Sequence, residues 1–275
     1  MPRTVIYSIA VTTEKLGDGA PVPLHGELEE LFKTVSELGF DAVEYHVRNP
    51  EKADIAALQG LVKKYGVGIC GIGTGFEYSM NGNSFTSPDQ SIRERTVEKY
   101  RSFIDLAAPF GASVFIGLCR GTAPTFREIP HYLELLAEML RPLVPYAREK
   151  HVLLVLEPIA FYMTNLLNKV VETIDYIALY GLDGIQLLLD THHMYIEDPS
   201  VVNAFRQAAG RIGHIHISDS DRRYPGSGLV DYTAVAKVLN DIGYTGPVSV
   251  EILPYPSGIE AARYSIAWMR SMWGK

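Results

Sequence analysis

The sequence predicts an α/β protein folded as a (β/α)8 TIM barrel, a single domain over residues 1–275. Eight short β-rich runs recur along the chain, a helical pattern follows each run, and no break in composition suggests a second domain. Parallel strands are joined by long crossovers, usually helices. Eight such units in a chain of this length match the barrel.

The eight predicted strands are near-continuously apolar, as expected of parallel strands covered on both faces. In chain order they read TVIYSIAV, AVEYHV, VGICGIG, SVFIGL, VLLVLEPI, GIQLLLD, IGHIHIS and PVSVEIL. A doubly wound sheet is the main alternative. It would more often carry a glycine-rich phosphate loop after its first strand, and SIAVTTEKLGDG is not such a loop.

Helix signals lie between these strands. The first helix has an apolar face and a glycine stop, formed by Leu28, Leu31, Phe32, Val35, Leu38 and Gly39. In SPDQ, Ser87 is expected to be the N-cap and Gln90 to complete a capping box. Asp231 is expected to cap a later helix.

The composition limits the kinds of partner. Apolar residues make up 47% of the chain and charged residues 21%, and the net charge of -7 gives no general attraction for nucleic acid or an anionic membrane. No apolar run approaches transmembrane length, and the N-terminus lacks a signal-peptide cleavage region. Cys70 and Cys119 lie inside apolar runs, which favours a reducing compartment. We therefore expect a soluble cytoplasmic protein.

Polar side chains end the last four predicted strands. Glu157, Asp190, His216 and Glu251 each follow apolar residues and occupy equivalent places on strands five to eight. In a barrel, the C-terminal strand ends converge on the active-site mouth. We call these four residues the strand-end cluster, and we expect them to reach one point.

Each of the four has a plain structural interpretation when taken alone. Either glutamate is about as well explained by loop hydrogen bonds, Asp190 by helix capping, and His216 by a satisfied, partly buried imidazole. Three carboxylates brought together repel one another unless a cation neutralises them. A divalent metal does so, and the joint interpretation is therefore preferred to four separate ones.

The donor atoms indicate which metals suit the site. Three carboxylates and one imidazole favour manganese, magnesium or cobalt over a structural zinc. Four protein ligands on an octahedral ion leave two positions for adjacent substrate oxygens. The metal would then act as a Lewis acid and as a template.

Motifs around the cluster add a family resemblance. They are LEPI at 156–159, LDTHHM at 189–194, HISDSDRRYPGSG at 216–228 and VSVEIL at 248–253, with GIGTG at 71–75, SFTSPD at 84–89 and IGLCRG at 116–121 in support. Over essentially the whole chain, the sequence resembles the xylose isomerase-like TIM barrels. Within them it is most similar to the ketose 3-epimerase branch.

This resemblance implies roles for individual residues. The strand-end cluster matches the family's ligands for one divalent ion, Mn2+ first, with Co2+ or Mg2+ as alternatives. Glu157 and Glu251 also match the pair that moves protons on opposite faces of the sugar. His193 matches a substrate-binding histidine, and Arg222 matches an arginine that contacts substrate oxygens.

The reaction implied is C3 epimerisation of a free ketose. A proton is removed beside a polarised carbonyl, the enediolate is stabilised, and a proton returns to the opposite face. The implied enzyme is a metal-dependent isomerase acting on a small sugar. The resemblance also implies a homo-oligomer, a dimer or a tetramer.

One departure from the family pattern concerns the segment after Glu157. Epimerases of this branch usually have Asn-Arg-aromatic-Glu there, whereas this chain has Ala160, Phe161, Tyr162 and Met163. A pocket that lost these polar groups would choose its substrate differently. Core packing of Phe161 and Met163 is an equally good interpretation. A second departure is Gly-Leu-Val-Asp at 228–231, where relatives often read Gly-His-Ile-Asp.

Other functions remain as alternatives. A lyase acting on an oxidised sugar, like the C-glycoside deglycosidases, would use the same site and often has a partner subunit. An aldose–ketose isomerase is also open. An endonuclease IV-like repair enzyme would need more histidine ligands than GLVDYT offers. A non-catalytic binding protein would have no reason to keep two opposed glutamates.

Several further residues have less certain roles. The PGSG loop at 225–228 could cradle a phosphate but is better explained as a turn. Glu44, His46 and Arg48 could reach the pocket or lie on the surface. Cys119 and Arg120 could line the mouth, although Cys119 is better explained as a small apolar residue. His192 is best explained by packing or by a place in the loop.

Overall fold

The computed structural model describes residues 5–274, and in it eight parallel strands close into a barrel. The strands are β1 Ile6–Thr12, β2 Ala42–His46, β3 Gly68–Gly73, β4 Ser113–Ile116, β5 Leu154–Leu156, β6 Ile185–Asp190, β7 Ile212–Ile217 and β8 Pro247–Val250. A two-residue strand, Leu24–His25, pairs beside β1. The predicted TIM barrel is confirmed, although Thr4, the first residue of the first predicted strand, lies outside the described residues.

Strand register brings the polar ends to one level. β1 pairs with β8 to close the barrel. Asp190 on β6 is the lateral partner of His216 on β7. Ile217 pairs with Val250, so Glu251 follows directly beyond the end of β8. Glu157 stands in the same relation to β5, whose Leu156 pairs with Ile116. The register therefore aligns the four side chains at the C-terminal mouth.

Helices surround the barrel, and they are more numerous than one per strand. They are α1 Leu28–Leu38, α2 Ile55–Tyr65, α3 Gly75–Ser79, α4 Gln90–Ala107, α5 Ile129–Leu140, α6 Leu143–Glu149, α7 Val170–Leu179, α8 Thr191–Glu197, α9 Val201–Gln207, α10 Tyr232–Asp241 and α11 Gly258–Trp273. The short helices α3 and α8 begin within two residues of the ends of β3 and β6. Helix α8 thereby places His193 one turn beyond Asp190.

Helix ends test the capping predictions. Gly39 ends α1 in the left-handed region (φ 87°), as predicted. Asp231 caps α10 by accepting a hydrogen bond from the Ala234 amide at 3.0 Å, also as predicted. The Ser87 prediction is wrong. Asp89 caps α4 instead. Ser87 Oγ accepts a hydrogen bond from the amide of this capping residue and so lies outside the helix.

Most of the core lies between the strands and the helices. Inside the barrel, the apolar floor is small and is formed by Phe115, Val155 and Leu188. The rings of His214 and His216 pack against Phe115 at centroid distances of 4.7 and 5.5 Å. Among residues 5–274, no helix has the length and apolar character needed to cross a lipid bilayer.

Candidate active site

The strand-end cluster meets at one point, as the sequence predicts. Its ligand-type atoms all lie within 4.8 Å of one another. His216 Nδ1 is 3.4 Å from Glu251 Oε2, 3.7 Å from Glu157 Oε1 and 3.9 Å from Asp190 Oδ2. Asp190 and His216 are buried, and the two glutamates are only slightly exposed. Three carboxylates thus surround one imidazole nitrogen.

Arg222 supplies positive charge to this site. Its Nη1 is 2.5 Å from Asp190 Oδ2 and its Nη2 is 2.5 Å from Glu251 Oε2. The Arg222 backbone adopts a left-handed φ of 62°, which is uncommon for a residue other than glycine. It is held by its amide donating to Asp219 O and its carbonyl accepting from the Leu253 amide, both at 2.8 Å. The arginine therefore lies within the cluster, where the resemblance expects a substrate contact.

The loop that carries Arg222 is organised by Asp219. The carboxylate of Asp219 accepts hydrogen bonds from the amides of Ser220, Gly226 and Val230 at 2.7, 2.8 and 3.0 Å. The Gly226 amide of the PGSG segment is therefore used within the loop. This supports the turn interpretation of that segment over a phosphate cradle.

The three carboxyl groups differ in their electrostatic surroundings. Burial alone would raise the pKa of Asp190, but the charges of Arg222 and, to a lesser extent, His216 hold it well below its usual range. The pKa of Glu251 is lowered in the same way, with His216 and Arg222 outweighing burial. Burial, together with the charges of Glu251 and Asp190, raises the pKa of Glu157. Glu157 therefore holds a proton more readily than Glu251 does.

His193 lies beside the cluster, as predicted. Its Nε2 is 3.9 Å from Asp190 Oδ2 and 4.0 Å from Glu157 Oε1, and its Nδ1 is buried without a hydrogen-bond partner. Burial lowers the pKa of His193 to about 3, so the imidazole is neutral at pH 7. A neutral imidazole at this place can hydrogen-bond a sugar hydroxyl.

The segment after Glu157 forms the rim of the site. Phe161 and Tyr162 are exposed by 67% and 56%, and Met163 by 42%, so the core-packing interpretation is wrong for Phe161 and Met163. Met163 lines the cavity, whereas Ala160 is buried. His192 Nε2 lies 3.0 Å from Tyr162 Oη, which ties this rim to α8. The polar family motif is therefore replaced by an apolar edge.

A cavity of about 250 Å³ opens over the cluster. The wall away from the cluster is largely apolar, lined among others by Pro21, Val22, Phe76, Phe115, Leu118, Ile159 and Met163. Among the polar residues that line the cavity outside the cluster, Thr74 and Ser79 donate their hydroxyl groups to the carbonyls of Phe115 and Gly75, and His46 uses Nε2 to contact Glu44. Polar contacts for a ligand are therefore concentrated at the cluster.

Sequence reasoning left Glu44 unassigned. Its side chain is buried inside the barrel and contacts three imidazoles, those of His46, His214 and His216. Of the uncertain residues, His46 is buried and lines the cavity, whereas Arg48 donates to Asn81 Oδ1 at 3.0 Å. The sequence signal that could have identified these buried polar residues is the period of two in AVEYHV and IGHIHIS. This period puts the polar residues of each strand on one face.

Cys119 and Arg120 are both fully buried, so neither lines the mouth, and the interpretation of Cys119 as a small apolar residue is confirmed. Arg120 donates to the backbone carbonyls of Gly117, Leu166 and Leu167 at 3.0, 3.3 and 3.1 Å. It also donates to the carbonyl of Ile116 at 3.3 Å and to that of Glu157. The guanidinium joins the end of β4, the residue after β5 and the loop before α7.

The residues present fit a divalent cation. Three carboxylate side chains and one imidazole form an oxygen-rich donor set that suits manganese, magnesium or cobalt. His216 Nδ1 is buried, faces the carboxylates and has no hydrogen-bond partner, as expected of a nitrogen whose lone pair is reserved for a ligand. The strand-end cluster is therefore a candidate metal site.

Comparison with known proteins supports a family assignment. The sequence pattern of the xylose isomerase-like TIM barrel family matches residues 32–272. An L-ribulose 3-epimerase from Mesorhizobium japonicum is 30% identical over 254 residues, 90% of this chain and 82% of that protein. A 3-dehydro-D-guloside 4-epimerase from Escherichia coli K12 is 28% identical over 256 residues, 88% of this chain and 94% of that protein. A solved structure of L-ribulose 3-epimerase superposes with a TM-score of 0.81 at 26% identity, covering 96% of this chain and 94% of that one.

Proposed function

This chain belongs to the xylose isomerase-like TIM barrel family, in its ketose 3-epimerase branch, and is a sugar epimerase; we propose that it inverts C3 of a free ketose with the help of one divalent metal ion. The observation that carries this proposal is the strand-end cluster, in which two glutamates, an aspartate and a histidine meet beside a small cavity. Mn2+ is the ion we propose first, because the donor set is rich in oxygen.

The metal ion and the protein side chains would have separate roles in the reaction. A divalent ion held by the cluster would supply Lewis-acid polarisation of the substrate carbonyl. Neutral His193 and cationic Arg222 would bind and orient substrate oxygens. One of the pair Glu157 and Glu251 would take the C3 proton into its carboxylate, and the other would return a proton to the opposite face. The C3 configuration would then be inverted, with no net change in atoms.

Product analysis tests this proposal. Metal-stripped protein is incubated, with and without Mn2+, with a panel of ketohexoses, ketopentoses and one 3-oxo-glycoside, and the products are separated by chromatography. We expect the C3 epimer of at least one free ketose to form only when Mn2+ is present. An aldose product would instead indicate aldose–ketose isomerisation, and either outcome identifies the reacting carbon.

A second candidate is a reaction on an oxidised glycoside through the same site, including elimination by a lyase. The apolar cavity wall favours it, because Met163 and Ile159 offer no hydrogen bonds to free hydroxyl groups. A relative from Escherichia coli K12 is named as a 3-dehydro-D-guloside 4-epimerase. Turnover of the 3-oxo-glycoside alone, with every free ketose inert, would replace the first candidate by this one.

Met163→Glu should shift substrate preference toward free ketoses. A carboxylate at this position, on the cavity wall and partly exposed, can accept hydrogen bonds from terminal hydroxyl groups. We expect the ratio of kcat/KM for a free ketose to that for an apolar glycoside to rise about tenfold, well below the largest discrimination given by fully buried polar contacts. Steady-state kinetics on both substrates measures this ratio.

Phe161→Glu is the matched control, because Phe161 is more exposed and does not line the cavity. It should leave the ratio within about twofold. Equal shifts in both variants would mean that added negative charge, and not a contact at Met163, causes the change.

We also propose that the protein forms a dimer or a tetramer in solution. Sedimentation velocity measures this oligomeric state.

A further inference from the structure

A buried carboxylate lies beneath the strand-end cluster, on the far side of His216. Glu44 points from β2 into the barrel and is fully buried. Its Oε2 is 2.8 Å from His216 Nε2 and 3.0 Å from His214 Nε2, and its Oε1 is 2.6 Å from His46 Nε2. Both oxygens are therefore used by imidazoles from two non-adjacent strands.

These contacts determine where the imidazole protons lie. An ionised carboxylate only accepts hydrogen bonds, so each Nε2 that contacts Glu44 must carry a proton. A neutral imidazole with its proton on Nε2 has its lone pair on Nδ1. For His216, Nδ1 is the nitrogen that faces the three carboxylates of the cluster, and it is buried without a hydrogen-bond partner.

We propose that Glu44 is a positioning residue that holds His216 in the Nε2-protonated tautomer and so sets the affinity of the strand-end cluster for a divalent cation. A carboxylate that accepts from the far nitrogen of a ligating histidine fixes both ring orientation and tautomer and raises the basicity of the ligand. The inference rests on the metal site of the proposed function, but not on the sugar or the reaction.

The hydrogen-bonding character of side chain 44 should matter more for metal binding than its shape. Glutamine is nearly isosteric, but its amide NH2 group presents donors where Glu44 presents an acceptor. At least one of the contacts to His46, His214 and His216 then sets a donor against a donor. With the amide nitrogen in the place of Oε2, relief of the clash moves the His216 proton to Nδ1, the position at which a metal needs the lone pair. With the amide oxygen there, the clash is at His46, and loss of the negative charge lowers the basicity of His216.

The alternative arrangement at this place is a second metal site. Glu44, His214 and His216 offer ligand-type atoms within 4.8 Å of one another, so the three could themselves bind a cation. Three hydrogen bonds of 2.6–3.0 Å already satisfy Glu44, which favours the positioning role. The stoichiometry of metal binding separates the two arrangements.

The test is calorimetric titration of metal-stripped protein with Mn2+. The wild type should bind one ion per chain, and Glu44→Gln should raise the dissociation constant for Mn2+ by about 10- to 100-fold. Glu77→Gln is the matched control. Glu77 is equally buried and accepts from Asn81 and Asn83, but it does not contact His216. It should change the dissociation constant by less than about threefold.

Three results would overturn the inference: unchanged Mn2+ affinity in Glu44→Gln, an equal loss in Glu77→Gln, or two ions per wild-type chain with one lost in Glu44→Gln. If Glu44→Gln does not fold, 15N spectra of histidine-labelled wild type loaded with diamagnetic Mg2+ decide the question. A His216 proton on Nε2 supports the inference, and a proton on Nδ1 contradicts it. No sugar enters either measurement, so the proposed reaction can fail while this inference stands.

Discussion

Replacing Glu157 or Glu251 with glutamine should lower turnover at saturating Mn2+ by roughly a hundred- to ten-thousand-fold. An amide cannot take up or release a proton, and in the proposed mechanism each face of the sugar has only one of these glutamates as its base. Because both residues are also proposed ligands, Mn2+ binding by each variant is titrated first, and kcat is then measured with the site filled.

Proton exchange distinguishes the two-base mechanism from simple damage to the metal site. In D2O, the glutamate that remains can still exchange the proton of the epimer whose C3 hydrogen it faces. Glu157→Gln should therefore label one epimer without inverting it, and Glu251→Gln should label the other. Glu197→Gln, which alters a carboxylate at the rim that accepts from the Phe161 amide, is the control and should keep near-normal turnover. Full turnover in both active-site variants would contradict the mechanism.

Arg120→Lys should destabilise the protein by about 2–4 kcal/mol. The guanidinium is fully buried and donates to five backbone carbonyls, whereas an ammonium has three donors on a flexible stem. At least two of the five contacts are then lost. The carbonyls of Ile116, Gly117 and Leu167 also accept hydrogen bonds from backbone amides, so the loss matters most at Leu166 and Glu157. One of the five belongs to Glu157, so the end of β5 should loosen as well. Urea unfolding measures the loss of stability.

An exposed arginine provides the comparison for this substitution. Arg206→Lys changes the same chemical group on the surface of α9 and should alter the free energy of unfolding by less than about 0.5 kcal/mol. If Arg120→Lys were as mild, the carbonyl contacts of Arg120 would not be what holds the end of β5. A large loss of stability confined to Arg120→Lys would confirm that the buried carbonyl contacts of Arg120 stabilise the fold.

Much of the site could be predicted because its residues follow apolar runs. Asp190 and Glu251 each come directly after buried strand residues, and parallel register carries such positions to the same end of a barrel. The period of strands and helices therefore predicted both the fold and the convergence of the strand-end cluster. Helix capping was less predictable, since Ser87 and Asp89 are both good N-caps two residues apart.

The residues that were missed depend on contacts between distant parts of the chain. Glu44 contacts His214 and His216 across the interior of the barrel. When each strand is interpreted as near-continuously apolar, the polar residues on its inward face are overlooked. Arg120 reads as a loop residue in sequence, because only the folded backbone brings five carbonyls around it. The exposure of Phe161 is likewise set by the path of the β5–α7 loop and not by residue type.

Deuterium incorporation at C3 tests the central claim most directly. A ketose found to react is incubated in D2O with metal-stripped protein, with and without Mn2+, and the ion is removed by chelation before proton NMR. We predict that the C3 proton signal is lost in step with the appearance of the epimer, only in the sample that contained Mn2+. Epimer formation without deuterium at C3, or at the same rate in the metal-stripped sample, would contradict metal-assisted proton transfer at the strand-end cluster.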